Sequence, residues 1–268
     1  MKKLWLGSLV LGSLLAQEQM DIPEAKMLDN KLDKNGVLVG VDLGFGFGGG
    51  GRSSAVVDLN NNLVRVVNFD TSIKSFNAGK LFVGYQKYSE DVRQIGLNVK
   101  AALGVGGYEL RHAMVSDRAN WGEIPTDGQT IVENFVPLSV GIEANFLYDF
   151  YEEGKSVVGL NLGLGYEFVH TFNTGVKFDS RLNKPFLSMY GGLFDKREMN
   201  YFLLTPKVGL HYYYDRHQIG IDVRFSKVLN IDAPTVKRVK TEAFDGQSMF
   251  RAELSDFLAF GLNYAYRF

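Results

Sequence analysis

Two stretches, Leu138 to Phe150 and Val157 to Phe168, joined by the hydrophilic link Tyr151-Glu152-Glu153-Gly154-Lys155-Ser156, restrict the fold more than anything else in the chain. In the first, Leu138, Val140, Ile142, Ala144, Phe146, Tyr148 and Phe150 alternate with Ser139, Gly141, Glu143, Asn145 and Asp149. In the second, Val158, Leu160, Leu162, Leu164, Tyr166 and Phe168 alternate with Gly159, Asn161, Gly163, Gly165 and Glu167. Side chains alternate across a strand, so a period of two gives each strand one oily face and one face of glycine, amide and charge. Strands of soluble sheets usually end after about 5 or 6 residues. These runs have the length that a tilted strand needs to cross a bilayer, roughly 9 to 11 residues. Aromatics gather near the run ends, at Phe146, Tyr148, Phe150, Tyr166 and Phe168, where a membrane strand meets interfacial water. A large soluble β-sandwich is the competing reading. Against it, the second face is crowded with glycine, which suits a narrow lumen better than a solvated surface.

Composition removes several function classes. The formal charge is −1, so the chain as a whole makes no case for a nucleic-acid partner. Cysteine is absent, which excludes disulfides, thiolate metal sites, cysteine nucleophiles and lipidation at cysteine. No apolar run reaches the length of a membrane-spanning helix, roughly 18 residues or more, and a helical membrane protein is excluded. Lys2 and Lys3, the apolar core from Leu4 to Leu15 and Leu14-Leu15-Ala16 before Gln17 read as an export signal over residues 1–16. Residues 17–35 are polar, mixed in charge and without a period, and are expected to form a short periplasmic lead.

From residue 36 to 268 the alternation predicts eight strands. They are Val37–Phe47, about Phe76–Tyr88, Val92–Gly106, Leu138–Phe150, Val157–Phe168, Tyr201–Tyr214, His217–Lys227 and Leu254–Phe268. Ala55–Leu59 and Leu63–Phe69 flank Asn60-Asn61-Asn62 and read as a hairpin projecting beyond the membrane, or as two more strands of a ten-stranded barrel. Pro206 cannot donate a ladder hydrogen bond, so a bulge or a strand end is expected there. Connections after strands two, four and six are short. Those after one, three, five and seven are long, among them Gly107–Asn134, His170–Asn200 and Val228–Met249. Short turns at one end and long loops at the other are the habit of outer-membrane barrels. An even strand count puts both chain ends in the periplasm. The fold class is therefore all-β: a transmembrane, antiparallel, up-and-down β-barrel of eight strands, with ten as the alternative.

The closing Tyr264, Tyr266 and Phe268 resemble the C-terminal signature of bacterial outer-membrane proteins, and the resemblance implies recognition by the β-barrel assembly machinery. The eight-strand pattern is similar to the OmpA/OmpX and opacity-type small barrels, and the Gly- and Tyr-rich strands resemble the Helicobacter outer membrane protein families. The architectural match covers Val37 to Phe268, and the motif match only the last dozen residues. The resemblance implies residence in the outer membrane among its lipids and lipopolysaccharide. It also implies a structural or adhesin-like role, with a host or surface ligand reached through long loops.

An eight-stranded barrel is only just wide enough inside for side chains. The register points Asp42, Lys80, Lys100, Glu143, Asp149, Glu167, Lys207, His211, Asp222, Arg224 and Arg267 inward, and their near-balanced signs favour a plugged lumen of paired charges over a narrow gated pore. The sequence gives no cofactor or metal site: His112, His211 and His217 lack ligand spacing, with His211 read as a lumen residue, His112 as loop and His217 as turn. Gly44-Phe45-Gly46-Phe47-Gly48 lies within a strand, with no helix after it to form a phosphate loop. Some small barrels, such as the lipid A deacylase PagL, are enzymes with adjacent His and Ser at the rim. His170-Thr171 near Glu167 is the corresponding pair here, but Thr171 departs from that pattern, and no catalysis is expected. The basic cluster Lys237, Arg238 and Lys240 is a solvated loop face or a grip on anionic lipopolysaccharide headgroups.

Overall fold

A computed structural model of the chain describes residues 32–59, 63–119, 122–124, 128–181, 194, 197–232, 235–240, 245–252 and 257–268. The chain divides after Asp33. The export signal and most of the lead fall outside the described residues, and Lys34–Phe268 carries all the β-structure found among the described residues.

Among the described residues twelve strands are formed: β1 Gly36–Phe47, β2 Gly50–Leu59, β3 Leu63–Tyr88, β4 Ile95–Ala119, β5 Gly122–Ile124, β6 Thr130–Glu153, β7 Ser156–Phe178, β8 Glu198–Tyr214, β9 His217–Asp232, β10 Thr235–Lys240, β11 Asp245–Ala252 and β12 Phe257–Arg267. Eight of them close a ring of antiparallel ladders in the order β1, β3, β4, β6, β7, β8, β9, β12 and back to β1. The eight-stranded prediction holds. The ladder can be followed once around from Gly46 through Ala259, Arg224, Lys207, Gly163, Asn145, Asn98 and Gln86. It returns to Gly36, ten residues earlier on the same strand. That stagger tilts the strands by about 40°.

The remaining strands mostly prolong the same staves. β2 follows β1 across Gly48 and Gly49, whose φ angles of +78° and +82° let the chain kink where other residues would be strained. β2 then pairs with the upper half of β3, as β1 pairs with its lower half. In the same way β10 continues β9 and pairs with β11, and β11 leads into β12 and pairs with β2. The barrel therefore runs well beyond the membrane: β3 has 26 residues and β4 has 25.

This corrects the sequence reading at several points. The arms at Ala55–Leu59 and Leu63–Phe69 pair as the expected hairpin, but that hairpin is the upper part of the first two staves of the barrel and does not stand apart from it. Most of Gly107–Asn134 and Val228–Met249, and both ends of His170–Asn200, are strand. Between the described strands at the end away from the termini lie residues 60–62, 120–121, 125–129, 179–197 and 241–244. At Pro206, β8 keeps its register with β7. Its ladder to β9 lapses at Thr205 and Pro206 and resumes unshifted at Lys207, which is an interruption and not a bulge.

Around the lower half the outward set is oily: Val39, Val41, Leu81, Leu103, Val140, Ile142, Leu162, Ile221 and Leu262 are all well exposed. From Val37 to Phe47 a strand at this tilt rises roughly 25 Å, the height of a membrane barrel's apolar band. Tyr148, Tyr151, Tyr212, Tyr214, Tyr264 and Phe268 rim the band at the terminal end. A closed ring has no unpaired edge to expose to lipid. The fold is that of a small outer-membrane β-barrel.

Candidate functional site

The lumen is the one compartment that the whole ring builds, and it is filled in four layers. Nearest the termini, Lys34 enters the mouth. Its Nζ donates to Asp149 Oδ2 at 2.7 Å, Glu152 Oε2 at 3.1 Å and the Arg93 carbonyl at 2.8 Å, and it lies 4.5 Å from the centre of the Tyr88 ring. Asp149 also accepts from Tyr88 Oη at 2.9 Å and bonds His211 Nε2 at 2.8 Å. Tyr213 Oη donates to Gln86 Oε1, and the Gln86 amide donates to the Lys34 carbonyl. Arg267 donates to the Asp215 carbonyl at 2.7 Å and stands over Tyr213.

Above this layer a chain of alternating charge crosses the barrel. Lys100 and Lys207 share Glu143 at 3.5 and 2.6 Å, Lys207 lies 3.9 Å from Asp222, and Arg224 binds both Asp222 and Asp42, the latter at 2.8 Å. Lys80 pairs with Glu167 beside it. All eleven predicted lumen residues thus point inward, and ten of them meet in acid–base pairs. Neighbouring glycines make room: a Cβ at Gly163 would collide with Asn145 and Lys207, and one at Gly261 with Arg224 and Asp222.

The third layer is apolar. Ile73, Tyr108, Leu110, Phe135, Val169, Met199, Tyr201, Leu203, Phe257 and Ala259 pack into one cluster, with Phe76 and Val228 against it. Tyr108 stacks on Phe135 with centroids 5.1 Å apart. A cavity of about 40 Å³, lined by Lys80, Glu167, Arg224, Phe76, Tyr201 and Phe257 among others, lies between this septum and the charges beneath.

The fourth layer is a polar cluster sealed inside the far half. Glu133 is fully buried and its carboxylate meets three partners: His112 Nε2 at 2.7 Å, Arg197 Nη1 at 2.7 Å and Asn173 Nδ2 at 2.8 Å. His112 Nδ1 meets Thr71 Oγ1 at 2.8 Å and Ser53 Oγ at 3.3 Å. Phe194 and Phe69 pack against the imidazole. Burial lowers the Arg197 guanidinium from its ordinary pKa, and the adjacent Glu133 opposes that shift. The hydroxyl, imidazole and carboxylate form a row like a hydrolase relay, but Arg197 and Asn173 also engage the carboxylate. The Ser53 and Thr71 hydroxyls are buried. The cluster ties Arg197, the residue before β8, to Glu133 on β6.

The sequence reading missed Lys34, which stands in a stretch without period, and the whole of this cluster. His112 is not a loop residue but lies on β4, facing in. The signal for Glu133 was present: a carboxylate between Ile131 and Phe135 on an otherwise apolar alternating face. His170 and Glu167 do not come together, because they point to opposite faces of β7: His170 bonds Asn200 at 2.8 Å, and Glu167 pairs with Lys80. Thr171 donates to the Met199 carbonyl. His217 begins β9 and bonds Tyr264. Tyr264 and Tyr266 stand on β12 opposite Val41 and Val39, at the ladder that closes the ring, and Tyr266 packs edge-on against Phe268. Lys237, Arg238 and Lys240 fall on β10, with side chains outside the described residues.

No family model and no curated protein matches the chain. Among solved structures it is similar to a major outer membrane protein from Thermus thermophilus, with 16% identity over 87% of this chain and 99% of that one and a TM-score of 0.42. The outer membrane protease OmpT from Escherichia coli has 10% identity over 88% and 97%, with a TM-score of 0.38. Ail, the attachment invasion locus protein of Yersinia pestis, has 13% identity over 87% and 99%, with a TM-score of 0.34.

Proposed function

We propose that the chain is a non-conducting, non-catalytic outer-membrane scaffold that holds a tall β-structure beyond the bilayer for surface interaction. Its termini and tight turns lie in the periplasm and its far half lies outside the cell. The filled lumen carries this reading: the charges there are paired, the septum above them is apolar, and the outer wall and far rim remain as working surfaces. In this reading the β-barrel assembly machinery engages Tyr264, Tyr266 and Phe268. Register places Lys237 opposite Ser248, which faces Val57, ten residues beyond Phe47 at the band's upper edge. The basic strand therefore stands near the tip, and its partner in this proposal is the anionic part of lipopolysaccharide beyond the bilayer surface. Unchanged lipopolysaccharide binding after Lys237, Arg238 and Lys240 are replaced by Ala would remove that partner. The main test is planar-bilayer recording on the refolded protein. A silent membrane is expected, whereas regular current steps would support the rival reading of a small pore, for which the inward charges are the only argument.

A further inference from the structure

Four buried acceptors in the lower lumen have no hydrogen-bond partner among the described residues: Asn145 Oδ1, Asn161 Oδ1, His211 Nδ1 and Gln218 Oε1. Their residues are at most 6% exposed. They stand on the successive strands β6, β7, β8 and β9, and register makes each the diagonal neighbour of the next. Asn145 pairs with Gly163, two residues from Asn161; Asn161 pairs with Gly209, two from His211; His211 pairs with Gly220, two from Gln218. Diagonal neighbours lie about 7–8 Å apart at Cα, a span that two inward side chains and one bridging molecule close. Asn145 cannot relieve its oxygen by an amide flip, because its nitrogen already donates to Asn98 and Glu143. His211 engages Asp149 through Nε2, which leaves Nδ1 as the acceptor in the neutral ring.

A row of acceptors calls for a donor, and the surrounding charge decides which kind. The lumen cations Lys34, Lys80, Lys100, Lys207, Arg224 and Arg267 are matched in number by Asp42, Glu143, Asp149, Glu152, Glu167 and Asp222. An added cation would unbalance them, and a neutral donor would not. We propose that these four acceptors hold a file of bound water, so that the lower lumen is a hydrated vestibule ending blindly at the apolar septum. An internal water typically makes about three hydrogen bonds to groups of this kind. The inference rests on the closed-lumen reading but goes further, since a closed lumen could be dry throughout.

The test is water-to-protein cross-relaxation in the refolded protein in lipid nanodiscs. Cross-peaks to water are expected from the side-chain amides of Asn145, Asn161 and Gln218 and from the His211 ring, and none from the Leu110 methyls and the Phe135 ring of the septum. In Asn161→Leu the peaks at its neighbours His211 and Asn145 should fall at least severalfold. Absence of water contact in the wild-type vestibule would overturn the proposal, as would equal contact at the septum or full retention in Asn161→Leu. Bilayer recordings on the same sample separate the two readings: a silent barrel with a dry vestibule sinks only this inference.

Discussion

The lower and upper halves of this barrel are built from the same eight staves and dressed in opposite ways. Along β4, Leu97, Val99, Leu103 and Val105 face out in the lower half while Asn98, Lys100 and Gly104 face in. Past Gly106 the faces exchange character: Glu109 and Arg111 face out, and Tyr108, Leu110 and Met114 face in. β8 makes the same exchange, with Met199, Tyr201 and Leu203 inside at its start and Lys207 and His211 inside further on. Strands β3, β4, β6 and β7 run on from one half into the other, with register shifts at Ile73/Ser75 and Asn134/Phe135 near the boundary. What changes is the solvent outside. Against lipid, burial of apolar groups inside gains nothing over leaving them on the wall, and the lumen can hold charge. Against water, the apolar groups must go inside, and the upper half wraps an apolar cluster and one buried polar tie in a sheet.

The two halves should therefore respond differently to substitution. The largest effect is expected in the upper core, at Glu133→Ala, which leaves Arg197 buried without its carboxylate. A loss of about 3–5 kcal/mol is expected from urea refolding equilibria, the cost of breaking a buried pair from one side. A loss under about 1 kcal/mol would mean that this tie is wet and weak. Next comes Leu162→Arg on the lower wall, where a charge meets acyl chains near the midplane and should cost roughly 2–4 kcal/mol. Val115→Arg is the matching change on the upper wall, where the side chain is 51% exposed. It should stay within about 0.5 kcal/mol, as surface substitutions do, and equal damage from the two arginines would refute the division of the wall into lipid and water zones. The smallest effect is local. Hydrogen bonds from Arg181 hold the Asp179 carboxyl well below the usual carboxylate range. A depressed folded pKa contributes order that is fully present above the unfolded value and lost as pH falls through the folded one. Hydrogen exchange at residues 179–181 should therefore quicken, relative to intrinsic rates, only under strong acid.

The lower half was legible in the sequence because its alternation has high contrast. Leucine against glycine, or valine against aspartate, can be read without a partner strand, and the closed ring then fixed all eleven lumen residues. The upper half was not legible by the same template, since its oily positions face inward and its outward ones are charged. Gly107–Asn134 looked like a polar excursion although Tyr108, Leu110 and Met114 keep a period of two along β4, as Ile131 does along β6 with Phe135 just beyond. In β3, a register shift between Ile73 and Ser75 also breaks the parity, so that the odd-numbered Ile73 and the even-numbered Phe76 both face in. Lys34 had no readable pattern at all. Its role comes from where the chain enters the barrel mouth, which only the folded ring defines.

Spin labels placed one at a time at Leu97, Val99, Leu103, Val105, Glu109, Arg111 and Val115, all on the outer face of β4, would test the inversion most directly through their contact with oxygen in lipid and a nickel chelate in water. Oxygen contact is expected to dominate up to Val105 and chelate contact from Glu109 onward, with the crossover inside a single unbroken strand. Lipid contact persisting to Val115, or water contact all along the strand, would contradict the account of a barrel whose staves leave the membrane and turn their oily side inward.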